Sequence, residues 1–567
     1  MSRKIIRLIA LLVIPSAVLT FILTDQYFRA SAEVNSFSGY LVSSNSRDLS
    51  GLRPSFSSRI CFTHETEALM AVIDTLEGNF TDRNIELRPP AREYLREHLP
   101  VQLLLYKTFL ESRFTSCLRL AHLYGESPSG IMLCALLLEE SRWEEAREAW
   151  EKLPREDRDS WLGRRVEDRL GLVEEAEDKE LIPVYDRRGR VLGSIANGEL
   201  KIVDGMADIL PSYEALEDSI LDAGTKPGGG IRTSLDIDLQ RAAVESLEGY
   251  RGTIVLVKPG SGEILAAASD DRTLRRNNSA PFSQQYEPAS ISKLLTTSAA
   301  IRAGIDTDSF MENTVCTGGK RYSGKILWCS YRSGRLETLA RALAHSCNIA
   351  FADLGIEAGR KAVIDELLLF GFDRPSSGPF DFGKIINRRG DNRQLADLSI
   401  GLEETTITPV HGALVAATFA NDGIMPEPSL LTAEDGFLGL SPKSLGHPPG
   451  SWLISDQEGL GEITRAMEEV ALNGTGRGLS HDGFTIAMKT GTGSTSGTGY
   501  VTNYIGFGPL PEPEVAFCVR VTHQRTSSRV RRATRKVMSN LIDELTKTRL
   551  YQPGRNHLWE MSGPDPE

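Results

Sequence analysis

Three short stretches carry side chains whose types and spacing could do chemistry together. YEPASISKLL (286–295) places Ser290 and Lys293 three apart at what reads as a helix start. Residues at i and i+3 of a helix share a face, so the lysine amine can reach the serine hydroxyl. Serine is a poor nucleophile until a base takes its proton, and lysine serves as that base only when burial or a neighbouring cation lowers its pKa. RALAHSCNIAFADLG (341–355) adds Ser346, a hydroxyl able to relay a proton, and Asn348, an amide that both donates and accepts. FTIAMKTGT (484–492) ends in Lys489, Thr490, Gly491 and Thr492. The cation and hydroxyls suit a carboxylate, and glycine removes bulk where a substrate backbone comes close. Each triplet alone arises by chance in a long chain, and Ser290-x-x-Lys293 alone reads as an ordinary helix start. In this order, with Lys489 as a neighbouring cation and the Ser290 N–H free at a helix N-terminus to hold an oxyanion, they point to serine acyl transfer. An extended peptide could add to the third stretch as an extra strand.

The stretches lie in a block from about residue 231 to about 548. RTSLDIDLQRAAVESLEGY (232–250) reads as a strand passing into a helix, and GTIVLVKPGSGEILAAAS (252–269) as a hairpin about Pro-Gly-Ser-Gly. FTIAMKTGT, TNYIGFGPL (502–510) and EVAFCVRVTH (514–523) read as three more strands. Helical patterns fill the stretch between. The expected architecture is α+β, an antiparallel sheet built from both ends of the block, flanked by helices and covered by a helical insertion. A cleft is expected at that junction.

The chain has 567 residues, roughly three to four domains' worth, with 40% hydrophobic and 25% charged residues. A net charge of -12 argues against a nucleic-acid binder. The basic stretch Arg529–Lys536 reads as the solvated face of a terminal helix. At the N-terminus, Arg3, Lys4 and Arg7 precede an apolar run, Leu8–Leu23. That run predicts a single membrane anchor over residues 1–25 with the remainder outside the cytoplasm. A cleaved signal peptide is the alternative, with Ala30-Ser31-Ala32 as its cleavage site, but the run is long for one and the site lies far beyond it. Residues 26–100 give weak signals. Residues 101–180 read as a helical module. Its small and large positions (Ala135, Ala146, Ala149, Trp143, Trp150) are similar to a tetratricopeptide hairpin. It reads first as a module packed on a neighbour and second as a docking surface for other proteins. Residues 181–230 hold a hairpin, IPVYDRRGRVLGS (182–194), and a Gly-rich joint, and 549–567 form a tail.

The seven cysteines form no C-x-x-C pair, which argues against a zinc site; no metal or cofactor is expected. Cys316 and Cys329 bracket a predicted hairpin and are a candidate disulfide in an oxidising compartment. Cys347 reads as a small buried residue, His345 and His411 as structural, and Glu403 and Glu404 as turn features.

S-x-x-K, S-x-N and K-T-G in this order resemble the signature of penicillin-binding proteins and serine β-lactamases. YEPASISK, ITPVHGALVAATFANDGIMPEPSL (407–430), SLDIDLQRAA and KPGSGEILAAAS extend the likeness over roughly residues 181–548. With no glycosyltransferase-like segment ahead of it, the chain resembles the monofunctional, class B architecture. The resemblance implies a D,D-transpeptidase acting on peptidoglycan stem peptides in the periplasm of a bacterium, tethered to the inner membrane and acylated by β-lactams. In it Ser290 is the nucleophile and Lys293 its base, while Ser346 and Asn348 handle proton relay and substrate amide. Lys489, Thr490 and Thr492 hold the terminal carboxylate beside Gly491, and the Thr492 N–H completes the oxyanion hole. Partners from cell-wall assembly would dock on the helical module. A D,D-carboxypeptidase, a β-lactamase and an idle scaffold on the same fold are the alternatives. Met488 departs from the small residue that usually precedes K-T-G.

Overall fold

The computed structural model describes residues 130–548, apart from 140–141, 176–180, 197–198, 204–212, 223–228, 275–276, 278, 331, 437–442, 447–449, 455, 482–483, 495–498 and 524–526. The predicted anchor, residues 26–129 and the C-terminal tail lie outside the described residues. Among the described residues no helix is long and apolar enough to cross a membrane. The chain divides into two compact units, residues 1–179 with 436–441, and the remainder.

In the first unit, helices α1 (Gly130–Glu139) and α2 (Trp143–Glu151) pack as a hairpin, followed by a single turn at Arg155–Arg158 and α3 (Trp161–Glu175). α1 buries Cys134, Ala135 and Leu136, and α2 buries Ala146. Gly163 lets α3 start tight against the preceding turn, since a Cβ there would lie 2.3 Å from the Asp157 and Arg158 carbonyl oxygens.

The second unit contains two principal sheets. The first has β1 (Ile182–Tyr185), β2 (Val191–Ala196), β3 (Glu199–Ile202) and β4 (Gly230–Thr233), with Leu431–Asp435 and Lys443–Ser444 beyond β4. β1 and β2 form the expected hairpin, whose turn is closed by Asp186 Oδ1 accepting from the Arg188 and Arg190 N–H groups, both at 2.8 Å. Helix α4 (Ile237–Ser246) follows, capped by the Asp236 carboxylate, which accepts from Asp238 N and Leu239 N.

The second sheet has five antiparallel strands drawn from both ends of the unit. They are β5 (Gly252–Val257) and β6 (Ile264–Ser269), and, far along the chain, Ala487–Ser494, Tyr500–Gly508 and Val515–His523. Every residue of β5 and β6 is buried, so both faces of the sheet are covered. The insertion between them holds α5 (Ser292–Arg302), the strand β7 (Val315–Cys316), the hairpin β8 (Gly319–Tyr322) and β9 (Lys325–Trp328), α6 (Leu339–Ala344), α7 (Asn348–Ala358), α8 (Pro409–Ala420) and α9 (Gln457–Leu472). The three late strands are β10, β11 and β12, giving the order β10-β11-β12-β5-β6 with β10 at an edge. α10 (Ser527–Lys547) closes the fold on the sheet beside α4. It buries Val530, Thr534 and Val537 and turns Arg529, Arg531, Arg532, Arg535 and Lys536 outward. α5 is buried all round from Ser292 to Ala300, as a helix at the centre of an insertion must be.

Candidate active site

The nucleophile candidate does not sit inside α5. Ser290 occupies a single 3-10 turn, Ala289–Ile291, whose first hydrogen bond runs from Ile291 N to Pro288 O at 3.4 Å. The Ser290 N–H precedes that bond and is one of the free donors of a helix start. Ala289 is held at φ 51°, a left-handed conformation that costs an alanine about 1–3 kcal/mol. Its N–H donates to the Gly401 carbonyl at 2.8 Å. Gly401, itself at φ 73°, is required there: a Cβ would lie 2.4 Å from the Ala289 oxygen.

The three motifs meet around one hydroxyl. Lys293 Nζ donates to Ser346 O at 2.7 Å, to Asn348 Oδ1 at 2.8 Å and to Ser346 Oγ at 3.2 Å. Lys489 Nζ reaches the same Ser346 Oγ at 2.9 Å and the Thr490 carbonyl at 2.8 Å. Ser346 is at φ 51° in the turn between α6 and α7, and Asn348 opens α7. Among the described residues no hydrogen bond joins Lys293 to Ser290. The Asn348 amide is already engaged at both ends, since Nδ2 donates to the Trp328 carbonyl at 2.9 Å.

Burial sets the electrostatics. Both lysines are fully buried. Loss of water pushes the Lys293 pKa down to about 8, against an opposing pull from nearby Cys347, Cys329 and Cys316. Burial and then the charge of Lys293 push Lys489 well below its ordinary value. Two ammonium groups sharing one hydroxyl in a dry site cannot both stay charged, so the pair titrates jointly through Ser346. That is the condition for a lysine to accept a proton near neutral pH.

β10 supplies the open edge. Its residues Lys489, Thr490, Gly491 and Thr492 pair with Ile505, Tyr504, Asn503 and Thr502 of β11, leaving the opposite side of the strand unpaired within the sheet. The Gly491 requirement is specific. A Cβ there would lie 2.6 Å from Pro288 O and 3.2 Å from Ser290 N, so only glycine lets the strand approach the nucleophile turn. Gly493 is less tightly confined, since the Glu287 Oε2 lying 2.7 Å from its would-be Cβ is the end of a flexible side chain. Thr490 Oγ1 lies 2.6 Å from Thr475 Oγ1 in a hydrogen bond that fixes its rotamer. Met488 is buried, and Gly476 makes room for it, with the Met488 sulfur 2.5 Å from a would-be Cβ.

Sequence reasoning missed the residues that hold the approach to Ser290. Arg520, fully buried on β12, donates to Asn503 Oδ1 at 2.6 Å, Gln284 O at 2.8 Å and Ile407 O at 2.9 Å, and stacks over Tyr286 at 5.3 Å. Asn503 Nδ2 in turn donates to Glu287 O at 3.0 Å. The Glu287 carboxylate accepts from Ser494 N at 2.8 Å and Glu403 N at 3.1 Å, tying the nucleophile turn to β10. The available signal was a lone arginine inside the apolar run VAFCVRV.

Other readings resolve plainly. His411 is buried between the Gly383 N–H, 2.8 Å from Nδ1, and the Phe370 carbonyl, 2.6 Å from Nε2; burial lowers its pKa to about 4. Glu403, at φ 54°, and Glu404 lie in a turn. Cys316 and Cys329 carry thiols in the structure, and Cys329 contacts the sulfur of Cys347 as well, 3.7 Å away. The bracketing hairpin does bring Cys316 and Cys329 together, but the S-x-N turn brings a third sulfur to the same place.

The family described as the penicillin binding protein transpeptidase domain matches residues 252–543, which include all three motifs. The chain belongs to this family. It is 29% identical over 339 residues to the peptidoglycan D,D-transpeptidase PbpA of Mycolicibacterium smegmatis, covering 52% of this chain and 67% of that one. It is 25% identical over 410 residues to the peptidoglycan D,D-transpeptidase MrdA of Acinetobacter baumannii, covering 62% and 61%. Among solved structures, the D,D-transpeptidase domain of a peptidoglycan glycosyltransferase from Eggerthella lenta superposes with a TM-score of 0.55 at 20% identity, over 65% of this chain and 99% of that one. PBPA from Mycobacterium tuberculosis superposes at 0.53 and 21%, over 65% and 99%. The superpositions support the α+β transpeptidase fold expected from the sequence.

Proposed function

We propose that this penicillin-binding protein is a peptidoglycan D,D-transpeptidase working through an acyl-enzyme on Ser290. The observation that carries the reading is Ser346 Oγ held between Lys293 and Lys489 beside an open strand edge. A stem peptide ending in D-Ala-D-Ala adds to β10, with its terminal carboxylate toward Thr490, Thr492 and the Lys489 cation. Ser290 Oγ attacks the penultimate carbonyl as its proton passes to neutral Lys293. The oxyanion is held by the N–H groups of Ser290 and Thr492. The C–N bond breaks, and the departing D-Ala amine takes its proton from Lys293 by way of Ser346. An amine of a second stem then attacks the ester, gives up its proton along the same route and restores Ser290. A β-lactam enters by the first half of this sequence.

The test is attachment of a labelled penicillin to the full chain. One label on a Ser290 peptide, absent in Ser290→Ala, is expected. A folded wild-type protein that takes no label would end the enzyme reading and leave the scaffold alternative. The remaining parts of the reading rest on sequence. The basic residues and apolar run at positions 3–23 support a single inner-membrane tether with the catalytic unit in the periplasm. The hairpin α1–α2, with Ala146 buried at its contact, supports a tetratricopeptide-like module for cell-wall assembly partners.

A further inference from the structure

Three cysteines from distant segments converge next to the S-x-N turn. Cys316 ends β7, Cys329 follows β9, and Cys347 is the N-cap residue of α7. Their sulfurs all lie within 4.8 Å of one another, with Cys329 Sγ 3.7 Å from Cys347 Sγ. Cys316 and Cys347 are buried and Cys329 is half-buried. A tetrahedral zinc with Zn–S bonds of about 2.3 Å places its sulfur ligands about 3.8 Å apart. The Cys329–Cys347 separation of 3.7 Å matches one coordination shell, and no two of the three sulfurs are farther apart than 4.8 Å. A disulfide would use two of them and strand the third against the bond.

The backbone holds each segment in place. Cys316 pairs with Gly334 in a two-stranded ladder, and Cys329 N donates to Gly318 O at 2.9 Å. Cys347 N donates to the Ala342 carbonyl at 3.2 Å. α7 is eleven residues long, and its positive N-terminal end begins at Cys347, where negative sulfur is favoured.

We infer that Cys316, Cys329 and Cys347 bind a thiolate-seeking divalent cation, zinc, in a three-sulfur site with the fourth position left to a solvent ligand. Three S–H bonds lose their protons to solvent as three Zn–S bonds form; no oxidant or reductant is needed. The metal clips β7 and the end of the β8–β9 hairpin to the turn that carries Ser346 and Asn348. That clip helps hold Ser346 in its left-handed conformation. The absence of a C-x-x-C pair hid the site, because each ligand comes from a separate segment.

The test is zinc stoichiometry in the full chain, purified with reductant, equilibrated with zinc and freed of loose metal. About one equivalent per chain is expected in the wild type and in Cys134→Ser, falling at least tenfold in Cys316→Ser and Cys329→Ser. Cobalt(II) put in place of zinc should give sulfur-to-metal charge-transfer absorption that Cys329→Ser lacks. A chelator added to the wild type should expose three further thiols to Ellman's reagent, a readout independent of whether any variant folds. Zinc absent from the wild type, or retained by both variants, overturns the inference. So does a Cys329–Cys347 disulfide found in zinc-equilibrated, reductant-purified protein. Penicillin labelling is scored separately: failure to label with zinc bound would count against the transpeptidase reading and not against this site.

Discussion

Lys293 can act as a base only to the extent that it is neutral, and burial sets that extent through a pKa of about 8. Its neutral fraction is then about one in eleven at pH 7 and about ten in eleven at pH 9, an increase of about tenfold. The second-order rate of Ser290 acylation by a fluorescent penicillin should rise by about that factor over the same range and level off above it. Lysine at its ordinary value of 10.5 would instead give a rate still climbing tenfold per pH unit at pH 9, with no plateau. The two cases differ in shape as well as in size. Lys293→Arg keeps a cation at the same place but cannot release its proton, so acylation should be lost at every pH while the fold remains. The measurement is stopped-flow acylation across pH 6–10, with circular dichroism at each pH to exclude unfolding. A flat profile, or normal acylation in Lys293→Arg, would refute the assignment of Lys293 as base. A profile that shifts in Lys489→Ala would show the coupling that the shared Ser346 hydroxyl requires.

Gly491→Ala drives a methyl group to 2.6 Å from Pro288 O and toward Ser290 N. It should lower acylation at least tenfold while costing about 1–3 kcal/mol in stability, read by penicillin labelling against thermal melting. Arg520→Met removes the buried donor to Asn503, Gln284 and Ile407 and should destabilise the catalytic unit by about 3 kcal/mol; chemical denaturation showing no loss would contradict the bracing role. His411 is neutral and buried, with a folded pKa of about 4 against 6.5 for the free side chain. The folded state thus binds fewer protons, so its contribution is present above pH 6.5 and is lost as pH falls toward 4, by at most about 3 kcal/mol. His411→Gln should flatten that part of the acid-denaturation curve, and an unchanged curve would place the acid sensitivity elsewhere.

Much of the architecture was legible in the sequence because short continuous apolar runs bounded by glycine turns marked both halves of the sheet. GTIVLVKPGSGEILAAAS became β5 and β6, and the three late runs became β10–β12. The motif residues were legible because their types are chemically unusual together: two lysines in otherwise apolar contexts, each near a serine or threonine. Legibility stopped where a role depends on non-local contact. Nothing in VAFCVRVTH says that Arg520 reaches residues 284 and 407, because those distances in sequence are closed only by the fold. The three-sulfur cluster was hidden for the same reason. The hairpin made Cys316 and Cys329 look like a closed pair, while the third sulfur arrived with the S-x-N turn.

The two left-handed non-glycine residues beside the chemistry tie these points together. Ala289 precedes the nucleophile and Ser346 is the shared hydroxyl, and each is held in a conformation its side chain disfavours. Strain of this kind persists only where surrounding bonds over-determine it. At Ala289 the restraint is the Gly401 carbonyl together with the Glu287, Asn503 and Arg520 chain. At Ser346 it is Lys293, bonded to both the carbonyl and the hydroxyl, and the Cys347 N–H bonded to Ala342. Lys293 is therefore a brace as well as a base, and the two duties conflict. A neutral amine has fewer protons to donate than the three acceptors around Nζ request, so the brace is strongest when the base is least able to act. A second amine on the same hydroxyl eases the conflict: as Lys293 gives up its proton its repulsion of Lys489 falls, and Lys489 can still hold Ser346 from the other side.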